Sequence, residues 1–199
     1  MPDKLVEQRI DLPSGELRLL QPRESAALPD DGAIEWAPIA PYWSVLWRSG
    51  VALARALDGL PLEARRVAEL GCGLAAPSIV AARCGAFALA SDASPEALEL
   101  VARNARENRV RLETLAVDWH RPHDLLRRAP FDLVLAADVL YERASVARLL
   151  SLLPELGPEV WLADPGRPAA DAFLERAVER WSVETDVRGV VRIHRLRLR

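Results

Sequence analysis

Lysine is almost missing from this 199-residue chain: of its 26 basic residues all but Lys4 are arginine. The skew reads as composition bias and carries no function by itself. Cysteine is scarce as well. Cys72 and Cys84 are too few for a disulfide framework and have no second pair at metal-ligand spacing, so both are expected as small buried packing residues. A basic surplus is lacking, the formal net charge being −3; a partner that neutralises phosphates would need one, so no nucleic acid is expected. No apolar run approaches the roughly 18 residues that cross a bilayer, and the opening MPDKLVEQRIDLPSG holds no leader-like apolar stretch. No membrane partner is expected, and the location is expected to be cytoplasmic. Repeats and linker-like composition are absent too, so no domain boundary has support. What remains is 50% hydrophobic and 28% charged, the balance of a soluble globular protein at about the length of one domain, with a monomer favoured.

The stretch Leu5 to Leu20 reads as a hairpin around Pro13-Ser14-Gly15, with period-2 alternation in Glu16-Leu17-Arg18-Leu19. Four prolines and several acids without a sustained period make 21–41 a long irregular segment. After Ser44, the apolar positions Val45, Leu46, Val51, Leu53, Ala54 and Leu57 suit an amphipathic helix ending near Asp58-Gly59. Apolar runs at 67–70, 86–90, 112–117, 131–136 and 160–163 then alternate with helical patterns near 76–84, 95–107, 144–153 and 169–181. This β-α alternation predicts an α/β fold, a doubly wound and mostly parallel sheet. Ser182–Val187 and Val190–Leu198 follow one another directly and predict a closing antiparallel hairpin. In that hairpin His194 reads as a strand surface residue, and Arg195, Arg197 and Arg199 as one charged face that protects a terminal edge.

Val67 to Ala75 places Gly71 and Gly73 at the carboxyl end of the first strand of that alternation, immediately before a helix. Ligands bind at that edge of a doubly wound sheet, and glycine lets the backbone approach them closely. The second strand ends in Asp92, where a carboxylate can accept hydrogen bonds from both ribose hydroxyls. Strand, Gly-x-Gly, helix, strand and acid form a nucleotide-type signal. A dinucleotide fingerprint would continue to a third glycine, but Ala76 stands there, and Glu69 enters the loop two residues before Gly71. An acid at that point suits a cationic methionine ammonium better than a pyrophosphate, which sets NAD and FAD aside.

Glu69-Leu70-Gly71-Cys72-Gly73, Asp92, Asp118-Trp119 and Asp138-Val139-Leu140-Tyr141 together resemble the class I S-adenosylmethionine-dependent methyltransferases. Pro41 to Gly50 and the Asp-x-x-Tyr element resemble, within them, the seven-β-strand protein lysine methyltransferases. Asp164-Pro165-Gly166-Arg167-Pro168 is closest to the branch that methylates the electron-transfer flavoprotein β-subunit. The match spans about residues 35–170. It implies a Rossmann-like seven-stranded sheet and a single methyltransferase domain over 1–199, with a hairpin, helix and loop extension over 1–41 and a cofactor-binding core over 42–199. S-adenosyl-L-methionine is the implied cofactor, S-adenosyl-L-homocysteine the product, no metal is needed, and the implied partner is a protein presenting a lysine. Many relatives have a third glycine where this chain has Ala75. A methyl there is tolerable if φ is negative.

The resemblance implies roles residue by residue. Glu69 would hold the cofactor amino group, directly or through water, with the backbone of Gly71 and Gly73 passing under the methionine part. Asp92 would hold the ribose, and Asp118 and Trp119 would lie against adenine; the alternative is a loop acid beside a core aromatic. Trp43 and Trp47, four apart on one helical face, would wall the pocket, Trp47 toward cofactor and Trp43 toward acceptor, or else form a core stripe. Asp138 would orient the acceptor amine, which must be neutral to attack, or cap the next helix. Tyr141 would shape the acceptor channel. Asp164 and Arg167 would meet substrate, or form a turn with an ion pair. Glu142, with Asp30, Asp31 and Glu35, would draw a basic substrate to the mouth or be ordinary surface charge. His120 and His123 do not make a metal site, because Pro122 interrupts any helix that would align them. Two rivals stay open: a small-molecule N- or O-methyltransferase, and a cofactor-binding interaction protein without turnover.

Overall fold

Period-2 alternation at the start of the chain folds as expected. In the computed structural model, which describes residues 4–26 and 41–199, strands β1 (Leu5–Leu12) and β2 (Gly15–Pro22) pair antiparallel and bury Ile10, Leu12, Leu17 and Leu19. A short helix, α1 (Arg23–Ala26), occupies the start of the segment expected to be irregular. Asp30, Asp31 and Glu35 lie outside the described residues. After a 3₁₀ turn over Tyr42–Ser44 comes α2 (Arg48–Leu57), which buries Leu53, Ala54 and Leu57.

The alternation that follows is β3 (Arg66–Leu70), α3 (Ala76–Arg83), β4 (Phe87–Asp92), α4 (Pro95–Glu107), β5 (Glu113–Ala116), α5 (His123–Leu126), β6 (Leu133–Ala137), α6 (Arg143–Leu156), β7 (Glu159–Asp164), α7 (Pro168–Ala177), β8 (Trp181–Arg188) and β9 (Val191–Leu198). The α5 turn, begun by Pro122, was not predicted; proline fits a helix start because its missing N–H has no partner to lose there. Seven strands form one sheet in the order β5-β4-β3-β6-β7-β9-β8, the first five parallel and β9 antiparallel to both neighbours. Strands buried on both faces read as continuous apolar runs, and Leu133, Val134, Leu135 and Ala136 of β6 are all buried. One face packs against α6 and α7, where Leu149, Leu153 and Phe173 meet Val134, Val160 and Leu162. The other packs against α2, α3 and the hairpin. Among the described residues no helix is long and apolar enough to cross a membrane.

Two predictions about the last hairpin are corrected. β9 is not an edge: it lies between β7 and β8, and β8 is the outer strand. His194, opposite Leu162 and Thr185, is therefore buried rather than on the surface. Arg195 lies over the Trp161 ring at 4.3 Å, a cation–π contact, and Arg197 stands 3.9 Å from both Glu159 and Glu184. Of the cysteines, Cys72 is buried as expected and Cys84 is only half-buried.

The N-terminal hairpin is tied to the end of α4 by side-chain amides. Asn104 on α4 and Asn108 just after it, four residues on, face the open edge of β2. Their Oδ1 atoms accept from the N–H groups of Leu20 and Arg18 at 2.7 and 3.0 Å, and their Nδ2 atoms donate to the carbonyls of the same two residues. This satisfies an edge that would otherwise leave buried backbone groups unpaired. Asn104 Nδ2 also reaches the Leu74 carbonyl at 3.4 Å, and Gln21 Nε2 donates to the Ser44 carbonyl at 3.0 Å. Asn104 thereby bridges the hairpin and the glycine loop, and Gln21 joins the hairpin to the turn that carries Trp43.

Candidate active site

β3 ends at Leu70 and the chain turns through three left-handed residues, Gly71 (φ +61°), Gly73 (φ +51°) and Ala75 (φ +60°). Close approach explains the two glycines. A Cβ on Gly71 would lie 3.2 Å from Val139 and 3.4 Å from the Trp119 ring, and one on Gly73 would lie 2.8 Å from the Trp43 carbonyl oxygen. Ala75 does not meet the condition of negative φ. It is the residue before α3, its N–H bonds the Cys72 carbonyl at 2.7 Å, and it carries the strain of a methyl in a left-handed position. A β-branched side chain tolerates that conformation worse than alanine. Ala75→Val is accordingly expected to cost about 2 kcal/mol in urea unfolding; a loss below about 0.5 kcal/mol would mean that the loop does not hold this backbone.

Carboxylates lock the loop. Asp92, at the end of β4, accepts from the Gly73 N–H at 2.9 Å through Oδ2 and from the Ser94 N–H at 2.9 Å through Oδ1. Glu69 is buried, and Ser78 of α3 donates both its N–H (2.9 Å) and its hydroxyl to Oε2. Burial pushes the Glu69 carboxyl up to about 8, the Ser78 bonds opposing the shift and nearby Asp92 adding to it. Burial likewise raises the Cys72 thiol, with help from Glu69 and Asp92, so it stays protonated.

These groups line a cavity of about 1070 Å³ at the carboxyl edge of the sheet. Among the described residues, Trp43, Trp47, Glu69, Gly71, Gly73, Asp92, Asp118, Trp119, Asp138, Tyr141, Glu142 and Arg167 all reach it. Trp43 and Trp47 do so differently from prediction. Trp43 is in the 3₁₀ turn, whereas Trp47 precedes α2 in extended conformation, so they do not share a helical face. The Trp47 indole donates to the Tyr42 carbonyl at 3.1 Å. Its ring stacks on Tyr42 at 6.5 Å between centroids, and Tyr42 stacks on Tyr141 at 6.3 Å. Tyr42 and Tyr141 are 49% and 59% exposed, so this aromatic row opens to solvent. Asp118 accepts from the His120 N–H at 2.9 Å, which turns the loop after β5, while Trp119 packs on Gly71.

Asp138 follows β6 with φ +58° and is braced by its N–H to the Ala163 carbonyl at 2.9 Å. It does not cap α6, whose preceding residue is Glu142. Its Oδ1 instead accepts from Arg167 Nε at 2.8 Å. Asp164 does not reach the cavity. It is buried, and Oδ1 accepts from the N–H groups of Gly166 (2.6 Å) and Arg167 (3.0 Å) and from Arg192 Nη2 (3.0 Å), while Oδ2 bonds His194 Nε2 at 2.8 Å. The hydrogen bonds hold its carboxyl below its ordinary value although burial opposes them. Sequence reasoning missed Tyr42, Ser78 and Arg148 at the site and the Asp164–His194 contact behind it. Only Tyr42 and Ser78 had a signal, standing beside the tryptophans and in the first turn after the glycine loop.

The cavity suits a nucleoside attached to an amino acid: glycine backbone where a Cβ would collide, a buried acid at one end, an aspartate on the loop and a tryptophan against it. Comparison with known proteins decides the family. The lysine methyltransferase family model matches residues 42–161, well over half of the chain. The chain belongs to that family. Its relatives include histone-arginine methyltransferase METTL23 of Homo sapiens, 31% identical over 150 residues, covering 70% of this chain and 78% of the relative. The electron transfer flavoprotein beta subunit lysine methyltransferase of Rattus norvegicus is 31% identical over 175 residues, covering 78% of this chain and 62% of that one. Among solved structures, the Thermus thermophilus 16S rRNA N2 G1207 methyltransferase superposes with a TM-score of 0.69 at 16% identity, over 98% of this chain and 50% of that one. The magnesium protoporphyrin IX methyltransferase of Synechocystis with bound cofactor gives 0.57 at 18% identity, over 86% and 99%. Identities this low show a shared Rossmann-like fold. As a lysine methyltransferase family member, the chain is a methyltransferase that uses S-adenosylmethionine.

Proposed function

We propose that this protein methylates a lysine side-chain amine of a protein substrate. The observation that carries the reading is that Asp138 shares its cavity with the half-exposed Tyr42–Tyr141 stack: a carboxylate to orient an amine and flat rings to hold its methylene stem. When bound, S-adenosylmethionine supplies a sulfonium-activated methyl that passes to a nitrogen lone pair in one displacement, leaving S-adenosylhomocysteine. The chain's own part is alignment. Glu69 would hold the amino end, Asp92 the ribose, and Asp118 and Trp119 the adenine, while Asp138 would accept a hydrogen bond from the incoming amine and turn its lone pair inward. The proton that the ammonium form must lose leaves to solvent. Glu142 at the mouth favours a cationic protein segment over a polyanion.

The test is transfer of labelled methyl from S-adenosylmethionine into a size-fractionated cell lysate. A labelled protein band that Asp92→Ala abolishes is expected, because that change frees Gly73 and removes the ribose acceptor. Label confined to small molecules would overturn the protein reading. A second acceptor, arginine, is favoured by the METTL23 relative; hydrolysis of the labelled band to methyllysine or methylarginine separates the two.

A further inference from the structure

Asp138 and Arg167 meet inside the cavity with side chains only 7% and 18% exposed. Both ends of this pair are fixed by the fold. Asp138 sits in a left-handed backbone bonded to Ala163, and non-glycine residues in such positions cluster at functional sites. Arg167 is the residue before α7, and its N–H is held by Asp164, which is itself clamped by Arg192 and His194. An incidental surface pair would lack this support. The guanidinium is aimed at the one carboxylate that an acceptor amine has been assigned to meet.

An isolated carboxylate beside a lysine would stabilise the ammonium, which has no lone pair to give. The surroundings would add to this. The other acids lining the cavity are Glu142 on the same loop, Glu69 from β3, Asp92 from β4 and Asp118 after β5, with Tyr42, Tyr141 and His120 also facing it; Arg148 from α6 is the other cavity arginine. A carboxylate already bonded to a guanidinium presents little net charge and still offers Oδ2 as a hydrogen-bond acceptor. We propose that Arg167 acts through Asp138 as a positioning residue, cancelling the carboxylate's charge so that the seated lysine amine is held by a hydrogen bond yet remains neutral. The inference rests on the lysine reading above.

The test follows the initial rate of methyl labelling of the lysate protein band from about pH 6.5 to about pH 9.5, the range in which a shifted lysine titrates. Arg167→Gln is expected to move the rising limb up by about one pH unit, to be about tenfold slower near neutrality and to regain most of the rate at the alkaline end. Arg167→Lys, which keeps the charge, is expected to hold the wild-type profile. Calorimetric binding of S-adenosylmethionine within about twofold of wild type verifies that the site is intact; Arg167→Met replaces the glutamine variant if it fails that check. A rate lowered by the same factor at every pH, or an unchanged profile, overturns the proposal and leaves the lysine reading standing. No labelled protein with the wild-type enzyme overturns both.

Discussion

Asp138→Asn is expected to lower turnover about tenfold to a hundredfold while S-adenosylmethionine still binds within about twofold of wild type. The separation follows from where Asp138 stands. It shares the cavity with the glycine loop, but its bonds run to Ala163 and Arg167 and none goes to Gly71, Gly73 or Asp92. Asparagine is one of the few residues that accepts φ +58° comfortably, so the backbone is expected to survive the change. What disappears is the charge. The amide no longer makes a charge-assisted bond to Arg167, the guanidinium is left without its carboxylate, and the oriented acceptor for the amine is shared with an NH₂ group that repels it. Steady-state kcat and KM with the labelled acceptor, beside calorimetric cofactor binding, check this. Unchanged turnover would remove Asp138 from the mechanism, and a collapse of cofactor binding would make its role structural.

Much of this was legible in the sequence because the core strands are buried on both faces. Apolar runs such as Leu133–Ala136 separated by helical periods leave few alternatives to a parallel sheet, and Gly71, Gly73 and Asp92 mark its carboxyl edge. The contacts around Asp138 and Asp164 were not legible. Asp138 with Arg167 and Asp164 with His194 are 29 and 30 residues apart, and spacing says nothing about pairs that only strand order brings together. The same reason explains the misreading of β9. Alternating Arg195, Leu196, Arg197 and Leu198 read as an exposed edge, but the chain doubles back through β8 and tucks β9 against β7. Trp43 and Trp47 misled for a local reason: their spacing is helical, yet Val45 is extended and α2 starts only at Arg48. The backbone at Ala75 carried a different lesson, since the turn is left-handed there although the residue is alanine.

Cofactor affinity is expected to rise with pH by up to tenfold per unit below about pH 8, the value to which burial pushes the Glu69 carboxyl in the free protein. Below that value the folded protein holds Glu69 protonated. A methionine ammonium seated against it favours the carboxylate, so binding must expel a proton, and the cost of expelling it shrinks as pH climbs. Above about pH 8 the cofactor's own α-amino group, with an ordinary value of about 7.7–8.0, loses its charge and affinity falls again. Stability runs the other way. The folded value is raised above the ordinary 4.5, so between about 4.5 and about 8 the unfolded chain is ionised while the fold still binds the proton. The contribution of Glu69 to stability is therefore largest below pH 4.5, declines across that window and is flat above it. Glu69→Gln keeps an acceptor for Ser78 and removes the titration. It is expected to be more stable than wild type at pH 8 and to bind S-adenosylmethionine weakly, without the rising limb. Calorimetry in two buffers of different ionisation enthalpy counts the proton directly: close to one released near pH 6.5 for wild type and none for the variant. Release of no proton by the wild-type protein would show that the ammonium does not meet Glu69, and would leave that buried acid with Ser78 and the start of α3 as its only role.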